Sequence, residues 1–311
     1  MSRGLAILMF HRVAPVHDPL RVRMGTVDEF RSQMRILKRF FRPVSISEGL
    51  RLLEAGRLPE RSVAVTFDDG YADNARLALP VLQEVGVPAA FFVATGYLEG
   101  GRMWNDTVLE AVRRIPPGRY DIPALRTGPI ELQSEAGRRP LAIALLKAVK
   151  HLEPSRRQAA AEALASHCPE PLPQDLMMRR EDVRALADAG MEVGGHTRTH
   201  PILRLLGDQE AEAEICGGIE DLRAITGRPV TLFAYPNGRR GEDYSDREVT
   251  ILERVGIEAA LVSNRGIVTK RSHRLQLPRL NPLHRAPLKF GYALWQAYRE
   301  PEWNWQAGEA A

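Results

Sequence analysis

With 311 residues, 44% of them hydrophobic and 26% charged, the chain can bury a sizeable core and does not read as fibrous, disordered or membrane-spanning. Its net charge of +4 comes from 38 arginines and five lysines scattered along the chain, which argues against the clustered basic stripe of a nucleic-acid binder. An arginine-rich surface accounts for them, with a basic groove for an anionic glycan as the alternative. Cys168 and Cys216, in no ligand spacing, argue against a disulfide-built scaffold.

The first apolar run, "GLAILMF" at 4–10, is too short for a membrane span, and no small-residue cleavage site follows it. It predicts a buried strand over 5–10, and the lack of a secretion signal leads to an expected cytoplasmic location. Amphipathic patterns then predict helices over 27–40 and 47–55. "SVAVTF" predicts a strand over 62–67 that ends abruptly in Asp68, Asp69 and Gly70. A helix over 71–85 and a strand over 89–94 follow. From about 98 to 178 the rhythm breaks into proline-rich connectors and helices near 104–114, 134–151 and 155–167, with no convincing strand. A structureless loop of that length is improbable inside a compact domain, so a helical insertion or lid is predicted.

The alternation resumes with helices over 179–189, 208–226 and 245–256 and strands over 191–194, 230–233 and 258–262. The aromatic, partly amphipathic tail at about 286–311 is expected to dock as a helix on the body or on a partner copy, membrane contact being the weaker alternative. The whole reads as one α/β domain, a parallel sheet or barrel with helices outside. Such folds carry their sites on loops at the C-terminal ends of the strands, where Asp68 and Asp69 stand.

Two adjacent carboxylates repel unless a cation lies between them. The second chemical segment, "GGHTRTHPIL" at 194–203, offers one a home. On a helical turn, His196 and His200 share a face with Cβ atoms about 5–6 Å apart, in reach of one metal ion. Two histidines and a carboxylate hold a catalytic metal with an open position, and they also suit the iron of a non-haem oxygenase. A cap and a surface histidine are the bland reading of the same spacing. Tyr71, Asp73 and Asn74 either line the mouth of the site or, for the last two, cap the next helix. Trp104, beside Asn105 and Asp106, either stacks on a sugar or packs the insertion onto the barrel. Gly194 and Gly195 permit close backbone approach.

"TFDDG" at 66–70 and "HTRTH" at 196–200 resemble the first two motifs of the polysaccharide deacetylases, the NodB-homology family (carbohydrate esterase family 4). "LFAYPNG" at 232–238 resembles a variant third motif. The resemblance covers residues 5–96 and 179–280. It implies a distorted (β/α) barrel of about seven parallel strands, here with a helical insertion, and metal-dependent removal of N- or O-acetyl groups from sugars. By the same resemblance Asp69, His196 and His200 match the ligands of a divalent metal, usually zinc, and Asp68 matches the base that takes a proton from the attacking water.

The family's C-terminal Leu-x-His acid has no good match, since His273 and His284 stand in other contexts. "ILMFHRV" at 7–13 puts His11 at the end of the first strand, similar to the branch acting on poly-N-acetylglucosamine, whose motif order is circularly permuted. His11 is therefore the candidate acid; hydrogen bonding to a loop is its alternative role. Ala234 stands where an arginine often orients the base, and Asn237 where a tyrosine is usual. The segment Tyr235, Pro236 and Asn237 is still expected to offer a backbone N–H to the oxyanion. Arg279, in "LQLPRLN", is the candidate replacement for the missing arginine, a surface arginine being the alternative. The implied function is a hydrolase releasing acetyl groups, N-acetyl foremost, from a sugar polymer or glycoconjugate precursor. A catalytically impaired glycan-binding module on the same fold is the alternative.

Overall fold

The computed structural model describes residues 4–21, 24–282 and 284–299. Seven parallel strands follow one another around a nearly closed barrel in strict chain order: β1 (Leu5–Phe10), β2 (Ser62–Phe67), β3 (Ala89–Val93), β4 (Glu192–Gly195), β5 (Leu232–Ala234), β6 (Ala259–Arg265) and β7 (Leu277–Arg279). The seam lies between the last strand and the first. There the Met9 amide donates to the Leu280 carbonyl at 2.9 Å and the Leu280 amide to Ile7 at 2.7 Å. This is the expected distorted barrel.

The strands read as continuous apolar runs because both of their faces are covered. In β1, Leu5 and Ile7 join an inner cluster with Ala64, Phe92, Leu232, Leu261 and Leu277. Ala6 and Leu8 point the other way, into a layer shared with Phe30, Met34, Leu82, Ile215 and Leu222 of the surrounding helices. That alternation decides which residues of each strand reach the lumen.

The outer helices match their sequence patterns closely. Thr26 and Glu29 form a capping box that starts α1 (Val27–Phe40), and Ser45 caps α2 (Ile46–Glu54). The α2 amides of Ile46 and Ser47 also donate to the Glu192 carboxylate, at 2.8 and 3.0 Å, which pins the start of α2 to the start of β4 at the N-terminal end of the barrel. The helix expected over 71–85 is interrupted: Asn74–Ala78 form one π turn ahead of α3 (Leu79–Val85). Farther along come α7 (Arg180–Asp188), α8 (Asp208–Thr226) and α9 (Asp246–Arg254), after the insertion helices α4 (Trp104–Arg114), α5 (Glu135–Val149) and α6 (Pro154–Ala165).

Two expectations need correction. The insertion is not wholly helical, because Gly118–Tyr120 and Ile130–Leu132 pair as a short antiparallel ribbon. The sequence pattern also missed β7, which has three residues and a central proline that normally argues against a strand. The insertion has its own apolar cluster, built from Val108, Val112, Leu125, Leu145, Val149 and Leu164. At the other end, α10 (Pro287–Arg299) docks through Phe290, Leu294 and Tyr298 against α1 and its neighbours; the rest of the predicted tail, residues 300–311, lies outside the described residues. No helix among the described residues is long and apolar enough to cross a membrane.

Candidate active site

The inward alternation of β2 continues past its end, so that Ala64, Thr66 and Asp68 follow each other up the inside of the barrel. On β7, Leu277 belongs to the inner cluster and Arg279, two residues on, points the same way. The guanidinium grips Asp68 in a bidentate pair, Nη1 to Oδ1 and Nη2 to Oδ2, both at 2.7 Å. It also donates from Nε to the Val262 carbonyl at 3.1 Å and from Nη1 to Thr66 Oγ1 at 3.3 Å. Both partners are 2% exposed. Burial pushes the Asp68 carboxyl up, but Arg279 and then His196 outweigh it and hold the group below its ordinary value, ionised at neutral pH. The candidate Arg279 is thus a buried partner of Asp68 and not a surface arginine.

Asp69 turns away from its neighbour through a left-handed backbone with φ of 78°. Its Oδ1 stands 3.4 Å from the Nε2 atoms of both His196 and His200. The histidine segment is a loop and not the helical turn expected from the spacing: Thr197 and His200 have φ of 65° and 52°. The rings still converge, with centroids 4.8 Å apart. His196 Nδ1 lies 2.7 Å from the Ala234 carbonyl, which only accepts, so Nδ1 carries the proton and Nε2 offers its lone pair toward Asp69. Burial pushes His200 down to about 4, leaving a neutral ring at neutral pH. For His196 burial acts in the same direction, but the neighbouring carboxylates of Asp69 and Asp68 outweigh it and raise the group.

These three residues fit a metal ion. Their ligand atoms all lie within 4.8 Å of one another. Two donors each about 2.1 Å from a tetrahedral ion stand about 3.4 Å apart, which matches both Asp69–histidine separations. At 3.4 Å the same pairs are too long for good hydrogen bonds.

The histidine loop is held by a face of α8 that sequence reasoning missed. Glu214, Gly217, Gly218 and Asp221 recur at helical spacing and form one stripe. Glu214 accepts from the amides of Arg198 and Thr199 at 2.9 and 2.8 Å, and Asp221 pairs with the Arg198 guanidinium and accepts from Thr95 Oγ1 at 2.7 Å. The glycines let the helix touch the loop: a Cβ on Gly218 would sit 2.8 Å from the Thr197 backbone. Gly218→Ala is expected to displace that backbone and weaken metal affinity about tenfold, the low end for losing a ligand's support; titration with a competing chelator measures it. Unchanged affinity would mean that the loop holds itself.

His11 follows β1 and is exposed at the rim. It is among the groups that act to lower Asp68 and Asp69, behind burial and their larger partners. Its backbone is fixed by the residues that sequence reasoning offered as mouth or cap. Asn74 Nδ2 donates to the His11 carbonyl at 2.9 Å, while Asp73 accepts from Arg12 Nε at 2.7 Å and the Val13 amide at 3.1 Å. Asp73 makes no capping bond. The only hint in the sequence was the closeness of these two residues to Asp69.

The remaining candidates divide. Tyr235 belongs to the core and not to a substrate surface: its ring stacks on Tyr244, its hydroxyl donates to Leu275 at 3.1 Å and its amide is spent on Leu261. Pro236 has no N–H, and its carbonyl accepts from Gly238. Asn237, half-buried with φ of 59°, is the member of the trio left at the strand end. Tyr71 is buried beneath the Arg12 guanidinium, 4.3 Å from its ring centroid, in a cluster with Ala94, Met103 and Met177. Trp104 packs within the insertion, with Arg157 stacked on it at 4.8 Å.

A barrel with an Asp-His-His metal triad and a second, clamped aspartate at its C-terminal mouth defines a class of metal-dependent hydrolases. The family model for polysaccharide deacetylases matches residues 55–122 and 147–260, and the chain belongs to that family. It is 35% identical over 91 residues to the putative polysaccharide deacetylase YxkH of Bacillus subtilis, covering 29% of this chain and 31% of that protein. It is 30% identical over 115 residues to a poly-beta-1,6-N-acetyl-D-glucosamine N-deacetylase of Staphylococcus epidermidis, covering 33% and 40%. The chain thus spans less than half the length of either relative. Among solved structures, the deacetylase PplD of Streptococcus pyogenes, in complex with acetate, superposes with a TM-score of 0.62 at 19% identity, covering 94% of this chain and 97% of that one. IcaB from Ammonifex degensii gives 0.61 at 21%, with the same coverage. At these identities the likeness is one of fold.

Proposed function

We propose that this protein is a metal-dependent deacetylase that removes acetyl groups, N-acetyl foremost, from a glycan or glycoconjugate precursor. The observation that carries the reading is the division of labour between the neighbouring aspartates. One faces two histidines at ligand spacing; the other is held ionised and oriented by Arg279. The Staphylococcus epidermidis relative, named for removing acetyl groups from an N-acetylglucosamine polymer, points to the same substrate class.

A divalent cation held by Asp69, His196 and His200, zinc being the proposed ion, supplies Lewis acidity for the acetyl carbonyl and for water. Asp68 takes a proton from the attacking water, and Arg279 keeps both carboxylate oxygens in register for that transfer. The backbone N–H of Asn237 stabilises the developing oxyanion. When the acyl C–N bond breaks, His11 delivers a proton to the leaving nitrogen, so that water and amide become acetate and amine.

Chelator dialysis is expected to abolish acetate release from N-acetylglucosamine oligosaccharides, and one equivalent of zinc to restore it. Sugar binding without release in metal-replete protein would sink the proposal and favour a glycan-binding module.

A further inference from the structure

Arg157 occupies the first turn of α6 in the insertion and is 5% exposed. Its Nη1 donates to the Lys150 carbonyl at 3.3 Å, and its Nε–H meets no acceptor. No carboxylate forms an ion pair with it among the described residues. Glu153, the N-cap of the same helix, spends its carboxylate on the Ser155 amide and hydroxyl and the Arg156 amide. A buried cation without an ion-paired carboxylate is costly, the more distant field of Glu153 not outweighing its burial, and the positive end of the α6 dipole adds to that cost. Deep burial holds the guanidinium below the ordinary arginine value, yet arginine stays charged at any physiological pH.

The position of this charge gives it a use. Its guanidinium lies over Trp104, and the next residue, Asn105, donates through Nδ2 to the Tyr71 hydroxyl at 3.5 Å, two residues from Asp69. Asn105 Oδ1 is itself buried with no donor. Within reach of the Arg157 charge is Tyr97, whose hydroxyl donates to the Thr199 carbonyl at 3.0 Å in the histidine loop. The field of Arg157 is felt at both Tyr97 and His200. The insertion therefore carries, on the side whose charge reaches His200, one unmatched cationic donor and one unmatched amide acceptor. An anion satisfies the first and a sugar hydroxyl the second.

We propose that the insertion, through Arg157 with Asn105 beside it, forms a subsite for an anionic substituent, a carboxylate or a phosphate, carried by the acetylated saccharide. This rests on the deacetylase reading and narrows its substrate class to acidic saccharides. The insertion is then a specificity element, the part of the chain that tells a charged glycan from a neutral one.

Calorimetric binding of three probes to zinc-loaded protein tests it: neutral tetra-N-acetylchitotetraose, a hyaluronan tetrasaccharide bearing carboxylates, and N-acetylglucosamine 1-phosphate. At least one acidic probe is expected to bind about 10–100-fold tighter than the neutral one, the scale of charge-assisted bonding, and which one does so separates carboxylate from phosphate. Arg157→Gln should erase that preference without changing neutral binding, and Arg157→Lys should keep part of it. Equal binding of all three probes to the wild type overturns the proposal, as does a loss in folded Arg157→Gln that is the same for every probe. Acetate release from the neutral probe is scored separately. Arg157-dependent binding without release from any probe keeps the subsite and removes the deacetylase reading; release without acidic preference does the reverse.

Discussion

Asp68→Asn is expected to lower the rate of acetate release about 10²–10⁴-fold, the usual contribution of a positioned base, while the protein keeps its full equivalent of metal. The two outcomes separate because the neighbouring carboxylates face different partners. Asparagine retains an oxygen for Arg279 but has no basic site for a proton, and it leaves Asp69, His196 and His200 untouched. Elemental analysis and an acetate assay on the same preparation check both halves. Full activity would remove Asp68 from its role; loss of metal would show that the aspartates act as one ligand set.

Arg279→Gln is the second large effect, and it reaches stability as well as rate. Removing one member of a buried ion pair strands the other, a loss of about 3–5 kcal/mol. Asp68 then keeps its burial, which raises its pKa, and loses the partner that lowers it. The acid limb of the kcat/KM profile should therefore move to higher pH. In the wild type the carboxyl lies below its ordinary 3.8, so the pair's stabilisation is complete above that value and fades as pH falls through the lowered one. The stability gap between wild type and variant is thus expected to be flat near neutral pH and to shrink in acid, as denaturant titrations at several pH values will read. Asp68→Asn combined with Arg279→Gln should be more stable than Arg279→Gln alone, because no charge is left stranded. A double variant less stable than that single one would mean that Arg279 matters through packing and not through its pairing.

Much of the barrel was legible because parallel strands covered on both faces leave unbroken apolar runs, as in "LAILMF" and "SVAVTF". What escaped was short or locally contradictory. The last strand, "LPR", combines a proline with an inward-facing arginine, and only the barrel's closure makes a strand of it. The ribbon of the insertion pairs three residues with three, too few for a periodicity to show.

In the site, the residues that carry chemistry stood out as adjacent carboxylates and spaced histidines, whereas their supports did not. Glu214 and Asp221 look like ordinary charges on a solvated helix until the loop they grip is in view. The spacing of His196 and His200 suggested a shared metal site by the wrong geometry, since a four-residue separation brings rings together on a left-handed loop as well as on a helix. Tyr235 was misplaced by the resemblance of its motif. It follows β5 on the outward face, where its ring finds Tyr244.

The clamp on Asp68 joins residues 211 positions apart, one from the second strand and one from the last. The metal ligands and the Ala234 carbonyl that orients His196 are all in hand once β5 has formed. The ion-binding geometry and the aim of Asp68 therefore depend on different strands: the triad and the carbonyl that orients His196 come from β2, β4, β5 and the loops after them, whereas Arg279 reaches Asp68 only where β7 lies beside β1. On the proposed function, opening of that seam is expected to release Asp68 from Arg279 while leaving the triad in place, so that acetate release would report whether the ring of strands is shut.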